Sequence, residues 1–256
     1  HPAADVLLEY ATFGCPTKTG TPWTIEDMQA TIDVGPHISA MKPDAMAELQ
    51  AEVEERVRTG KARVLLWDDI KHDPPKALKI SRIAMIPHKS RKFRAILDLS
   101  YTVQLQDRTT SAVNETTTKT APQGAMDQLG HTLDRIIYAY AQAGEFEIVF
   151  AKKDDVKDGF WRVVAEDGQE HNFAYVLPQE PGKPVKLVIP TSLQMGWMES
   201  PPYFCAASET GRDVAESLAQ TPIGSLPNHK FLHHAKGSPE YNALPDAAPL
   251  FPPLRF

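Results

Sequence analysis

Residues 79–100 read KISRIAMIPHKSRKFRAILDLS, two apolar runs joined by a short basic segment. The first run ends at His88 and the second begins at Phe93, and both are rich in residues that favour β-strands. Because only the segment HKSRK lies at their junction, they are predicted to form a β-hairpin with this segment at its tip. A further extended run, ARVLLWDDI (62–70), precedes the hairpin, so we expect a β-sheet in this part of the fold.

Helices are predicted on both sides of the hairpin. Residues 43–59 place apolar side chains such as Leu49 on one stripe, and Gly60 ends the pattern. The same periodicity predicts a long helix over residues 123–143 and a second amphipathic helix over about 201–220. Helices and strands therefore occur in separate runs, which is typical of an α+β fold.

Four short runs after residue 146 are predicted as strands of a small antiparallel sheet, with the 123–143 helix on one face. These runs are EIVFAKK (147–153), GFWRVVA (159–165), NFAYVL (172–177) and VKLVIPT (185–191). The segment LQMGWMESPPYF (193–204) is expected to be a loop, because it holds a glycine and two adjacent prolines.

The two ends of the chain differ from its middle. Residues 1–42 show no sustained periodicity and are expected to be a loosely ordered lead-in. Residues 221–256 are dense in Pro, Gly and Asn, which predicts an irregular tail. The sequence begins with His1 and not with Met, so we expect a fragment or a processed segment of a longer protein.

Composition excludes several classes of protein. Of the 256 residues 42% are hydrophobic, enough to bury a core, and the net charge of −6 argues against binding nucleic acid over the whole surface. The two cysteines, Cys15 and Cys205, lack the Cys/His spacing of a zinc site and suggest reduced thiols in an intracellular protein, cytoplasmic or nuclear. No apolar run approaches the ~20 residues of a membrane span, so no membrane partner is expected.

The hairpin reverses the sign of the charge locally. Six basic residues stand there against one acid, Asp98: Lys79, Arg82, Lys89, Arg91, Lys92 and Arg94. Basic side chains on an accessible tip suit contact with phosphate oxygens, although a hairpin turn is often polar without any ligand. Both interpretations stay open on the charge pattern alone.

One acid stands out as a candidate metal ligand. Asp155 follows the apolar run IVF closely, and a strand end on a rigid scaffold can present a carboxylate to a cation. Its neighbour Asp154 would point to the other side of the strand. A second pair, Asp68 and Asp69, also follows a strand and is interpreted as a solvated turn.

Three segments, in this order, resemble motifs of reverse transcriptases of the retrotransposon type. IPHKSRKFRAILDLS (86–100) is similar to the fingers hairpin of that family, and FAKKDDVKDGFW (150–161) to its motif A, in which a catalytic Asp precedes an aromatic residue by five positions. LQMGWMESPPYFC (193–205) resembles the glycine loop that leads into a palm helix. The matches cover about residues 62–220.

The resemblance implies a nucleotide site. In that reading Lys89 and Arg94 contact the triphosphate of a deoxynucleotide, and Phe160 excludes a 2′-hydroxyl group by its bulk. Met195 and Gly196 face the nucleotide from the glycine loop, although the family usually has Gln or Phe where this chain has Met195. The implied partners are an RNA or DNA template with its primer.

The resemblance also implies a metal site and a domain plan. Asp155 and the backbone carbonyl of Val156 would bind Mg²⁺ or Mn²⁺ in the complete enzyme. Residues 43–123 would form a fingers-like region and residues 124–220 a partial, truncated palm in a polymerase-like α+β fold.

The second acidic motif of the family, an aromatic-x-Asp-Asp hairpin, is missing from this sequence. After Phe204 the aspartates are Asp213 and Asp246, and one carboxylate cannot hold two cations. We therefore expect no DNA synthesis by this chain alone. It is interpreted as a fragment of a retroelement polyprotein or as a decayed copy of one. The alternative is a retained, non-catalytic module that binds nucleic acid through the basic hairpin at residues 79–94.

Overall fold

The structure of this chain is a computed structural model that describes residues 4–89, 92–124, 126, 132–149, 156 and 158–220. The chain divides into two compact units. The first unit holds residues 5–122 and 155–204, and the second holds residues 1–4, 123–154 and 205–256. The predicted tail at residues 221–256 lies outside the described residues.

The described residues form seven α-helices and five strands, so the expected α+β class is confirmed. The helices are α1 (Ala4–Phe13), α2 (Ile25–Val34), α3 (Pro43–Arg58), α4 (Trp67–Ile70), α5 (Val113–Thr116), α6 (Thr132–Gln142) and α7 (Ser200–Gln220). The strands are β1 (Ala62–Leu66), β2 (Ile80–Pro87), β3 (Phe93–Asp98), β4 (Ala174–Val176) and β5 (Lys186–Pro190).

All five strands belong to one mixed sheet in the first unit, in the order β1-β5-β4-β2-β3. The predicted hairpin is confirmed, since β2 and β3 pair antiparallel with Pro87 opposite Phe93. The expectation of a separate small antiparallel sheet was wrong. β4 pairs parallel with β2, and β5 pairs antiparallel with both β4 and β1. Strands from both halves of the sequence therefore belong to one sheet.

The central strands of the sheet, β5, β4 and most of β2, are buried on both faces, whereas the edge strands β1 and β3 are partly exposed. Along β5, Val188 belongs to one cluster of buried apolar side chains, whereas Leu187 and Ile189 belong to a second cluster. Since successive side chains of a strand point to opposite faces, the two clusters are two cores on the two sides of the sheet. On β2, Ile80 lies in the second core and Met85 in the first, with the same alternation.

Residues 5–42 are part of the fold, contrary to the expected lead-in. Thr24 caps α2 and forms a reciprocal capping box with Asp27. Cys15 lies in the first core, and Met28 and Ile32 lie in the second. The sequence signal was weak because these apolar residues are spread over short elements that are separated by Gly and Pro.

Several boundaries differ from the sequence prediction. The end of the run ARVLLWDDI is the short helix α4, in which Asp68 and Asp69 occupy the first turn, where acids favour a helix. GFWRVVA is not a strand, because Phe160–Arg162 forms a 3₁₀ turn and Val164 and Ala165 make only isolated bridges. NFAYVL is divided between the 3₁₀ helix Glu170–Phe173 and β4.

The long helices agree with the sequence where the structure describes them. α3 begins with Pro43 in its first turn and ends just before Gly60, as predicted. α7 confirms the predicted helix over 201–220, and α6 covers the described part of the helix predicted over 123–143. Of the strand predicted at 147–153, residues 147–149 have no regular structure and the others lie outside the described residues. No helix in the described ranges has the length and apolar composition that crossing a bilayer requires.

Candidate functional site

Three of the predicted site residues meet at β3. Arg94 extends from β3, and its guanidinium Nη2 contacts the Sδ atom of Met195, which lies 101 positions later in the sequence. Arg94 is half-buried and Met195 is 48% exposed, so both side chains reach solvent. The contact brings the hairpin and the glycine loop together.

Gly196 fixes the close approach of this loop to β3. Its φ of +99° lies in the left-handed region, which strains any residue with a side chain. A Cβ atom at this position would also stand 3.1 Å from the carbonyl oxygen of Leu97. The loop therefore needs glycine here for both conformation and space.

The residues that follow Gly196 anchor the loop in the first core. Trp197 is 1% exposed, and its indole Nε1 donates to Thr117 Oγ1 at 2.9 Å. Its ring stacks on Tyr203, with 5.9 Å between the ring centroids. Met195 thus lies two residues before a buried, hydrogen-bonded tryptophan, which restrains the loop.

Glu199 is a buried carboxylate that the sequence reasoning missed. It is 2% exposed, and its Oε2 accepts hydrogen bonds from the backbone N–H groups of Thr120 at 2.8 Å and Ala121 at 2.9 Å. These bonds join the start of α7 to the segment after α5. Two backbone donors on one carboxylate make this a structural junction of the loop.

Phe160 belongs to a second group. Its ring packs edge-to-face on Phe204, with 5.6 Å between the centroids and an angle of 84° between the planes. Gly159 lies so close that a Cβ atom there would stand 2.8 Å from the Phe204 ring. The Gly-Phe pair of the second motif therefore packs on the last aromatic residue of the third. Within the described residues, no hydrogen bond or ring contact joins Phe160 to Arg94 or Met195.

The hairpin presents its basic residues unequally. Lys89 is exposed at the tip. Lys92 forms an ion pair with Asp44 of α3 at 2.7 Å, and the guanidinium of Arg82 lies over the Tyr101 ring at 5.4 Å. Arg91 lies outside the described residues. Of the described hairpin cations, Lys89 and Arg94 are therefore the best placed for a ligand.

Lys79 was wrongly grouped with the phosphate-facing residues. It is 1% exposed, and its ammonium Nζ donates to Thr116 Oγ1 at 2.8 Å. Burial lowers its pKa from the ordinary value of 10.5 to about 8, although Glu115 opposes the change. Lys79 immediately precedes β2 and is held in the interior, so it cannot meet a ligand from solvent.

The predicted metal ligands are described only in part. Asp155, like its neighbour Asp154, lies outside the described residues, whereas Val156 is described and is 49% exposed. Among the residues that the structure describes, no group of three or more His, Cys, Asp or Glu side chains could hold a metal ion. The described donors alone do not make a cation site.

Comparison of the sequence with known families and with curated proteins finds no match to a family model and no similar curated protein.

Proposed function

We propose that this chain carries the fingers and part of the palm of a reverse transcriptase, and that it binds a primer–template and a deoxynucleotide. In the complete enzyme these regions would serve template-directed DNA synthesis. The observation that carries the proposal is the contact of Arg94 with Met195, because it joins two segments that resemble the same family. The packing of Gly159 and Phe160 on Phe204 supports it, since it brings the second and third segments together as well.

The chemistry of the first group suits a nucleoside triphosphate. A guanidinium is a planar fork of donors that pairs with phosphate oxygens, and Lys89 adds a mobile cation at the hairpin tip. Met195 offers a flexible apolar surface beside Arg94, against which a sugar or a base can pack. We assign the triphosphate to Lys89 and Arg94, and the apolar part of the nucleotide to Met195.

Mg²⁺ or Mn²⁺ belongs to the proposal through Asp155 and the carbonyl of Val156. When bound, such ions neutralise phosphate charge and activate the 3′-hydroxyl group of a primer. Because the second acidic motif of the family is missing from the sequence, the role given to this chain is binding and not catalysis.

The alternative is a non-catalytic module that binds nucleic acid through the basic hairpin at residues 79–94. It is favoured by the exposure of Lys89 on a projecting tip in a chain whose net charge is −6. The two proposals differ in the deoxynucleotide, which only the first requires.

The test is a salt titration of the affinity for a fluorescently labelled RNA–DNA primer–template, measured by anisotropy. We expect the logarithm of the affinity to fall linearly with the logarithm of the salt concentration. Lys89→Ala and Arg94→Ala should each make this slope shallower by about 0.9, the value for one phosphate contact. A salt-independent affinity in the unsubstituted chain would remove both proposals.

Arg58→Ala is the matched control. Arg58 is an exposed guanidinium in the last turn of α3, whereas Asp44, which pairs with hairpin residue Lys92, lies in the first turn. The two ends are about 21 Å apart at the helical rise of ~1.5 Å per residue. We expect the slope of this variant to equal that of the parent.

The second measurement is the affinity for dTTP with Mg²⁺ by calorimetry. The polymerase proposal predicts binding that Arg94→Ala weakens by about tenfold, as for the loss of a charged hydrogen bond. Binding of the primer–template without any binding of dTTP would decide for the non-catalytic module.

A further inference from the structure

We propose that Asn114 is a positioning residue that holds Met195 beside Arg94. This role rests on the proposed function, because it concerns how the nucleotide-facing loop is set. Asn114 lies in α5, 82 positions before Gly196, and none of the three motif segments contains it.

The amide of Asn114 holds both sides of Trp197. Its Nδ2 donates to the carbonyl oxygen of Gly196 at 2.9 Å, and its Oδ1 accepts from the backbone N–H of Met198 at 3.0 Å. One side chain thus pairs with a backbone acceptor and a backbone donor of the loop. Among side chains of this size only an amide offers a hydrogen-bond donor and an acceptor in one plane.

Asn114 is itself held against the sheet. Its backbone N–H donates to the carbonyl oxygen of Leu99, just after β3, at 2.9 Å, and its Nδ2 also donates to Ser100 Oγ at 3.0 Å. Two residues further along α5, Thr116 accepts the hydrogen bond from the buried Lys79. Asn114 therefore connects the loop to the end of β3, the strand that carries Arg94.

This geometry explains how an exposed methionine keeps a defined place. Gly196 can adopt many conformations, and a loop that depended on it alone would sample several of them. Bonds to Gly196 and Met198 restrict the backbone directly after Met195. Losing them should leave the core intact and let the Met195 side chain leave Arg94.

Two substitutions separate the two bonds. Asn114→Ala removes both, whereas Asn114→Asp keeps an oxygen for the Met198 N–H and removes the donor to the Gly196 carbonyl. Gln179→Glu is the matched control, because the Gln179 amide also donates to backbone carbonyls, in the turn between β4 and β5, and it becomes an acid in the same way.

The first readout is hydrogen exchange of the Met198 amide, which needs no nucleotide. We expect about tenfold faster exchange in Asn114→Ala and parent-like exchange in Gln179→Glu. In Asn114→Asp a carboxylate oxygen faces the Gly196 carbonyl oxygen and repels it, so we expect a smaller increase than in Asn114→Ala. An unchanged rate in Asn114→Ala at an unchanged melting temperature would overturn the proposal.

The second readout is a double-mutant cycle on dTTP affinity with Met195→Ala. We expect Asn114→Ala to weaken binding by about tenfold in the parent and by less than about twofold in the Met195→Ala background, because the residue acts through Met195. Equal factors in both backgrounds would overturn the positioning role. Absence of dTTP binding in the unsubstituted chain would overturn the proposed function, and the exchange rate would then decide on Asn114 by itself.

Discussion

At the scale of single residues, burial decides what the ammonium group of Lys79 can do. The protonated form loses its hydration in the interior and keeps one hydrogen bond to Thr116, which is why its pKa falls to about 8. Arg94 and Lys89 are two residues of the same charge in the same hairpin, yet they reach solvent. The charge of a residue, known from the sequence, therefore does not tell whether its side chain is accessible to a ligand.

A pH titration of stability tests this account of Lys79. Between about pH 8 and 10.5 the unfolded chain keeps a proton on Lys79 that the folded chain has lost, so folding gains stability as the pH rises. Relative to Lys79→Met, the free energy of unfolding of the parent should therefore rise by about 1–3 kcal/mol over this range. Urea denaturation at several pH values measures the difference. Lys76→Met, at an exposed lysine, is the control, and a difference that does not change with pH would refute the account.

At the scale of elements, the start of α7 is held by the segment after α5. The loop before this helix contains Gly196 and bends sharply, so helix propensity alone does not place it. Glu199 supplies the link through the N–H groups of Thr120 and Ala121, and Trp197 adds a second link through Thr117. The segment 113–121 therefore acts as the support of the glycine loop.

Substitution of Glu199 tests that support. Glu199→Ala leaves two backbone N–H groups without their carboxylate, and we expect the free energy of unfolding to fall by about 2–3 kcal/mol. Glu199→Gln keeps a neutral acceptor and should lose about 1 kcal/mol. Chemical denaturation measures both, with Glu180→Ala as an exposed control that should change little. Equal losses in the Ala and Gln variants would show that the hydrogen bonds are not the cause.

At the scale of the whole molecule, the first unit is built from distant parts of the sequence. β2 pairs with β4, and β1 pairs with β5, across more than 90 positions. The N-terminal segment joins them, because Met28 and Ile32 of α2 pack in the second core with Ile80 of β2. Residues 5–42 thus contribute side chains to the second core and are not a loosely ordered lead-in.

A matched pair on α2 tests this integration. Met28 is 2% exposed and Ile25 is 48% exposed, so Met28→Ala should cost about 2–4 kcal/mol and Ile25→Ala less than about 1 kcal/mol. Thermal or urea unfolding followed by circular dichroism measures both. If α2 were only loosely attached, the two substitutions would have equally small effects.

Local patterns in the amino-acid order were enough to predict the hairpin, α3 and α7. Alternation marks a strand and a 3.6-residue period marks a helix within a few positions, whatever the rest of the chain does. The same local signals misjudged GFWRVVA and the first 42 residues, where elements of ten residues or fewer are stabilised by contacts from elsewhere. For the candidate site, the motifs identified Arg94, Met195 and Gly196 but not Asn114 or Glu199.

Long-range packing decided the remaining features. The parallel pairing of β2 with β4, the burial of Lys79 and the bonds from Asn114 to the glycine loop each join residues that no sequence period relates. In each case polar groups lose their hydration in the folded interior and hydrogen bonds there offset that cost. Which groups are buried and which partners they find depends on neighbours in space and not on neighbours in the chain.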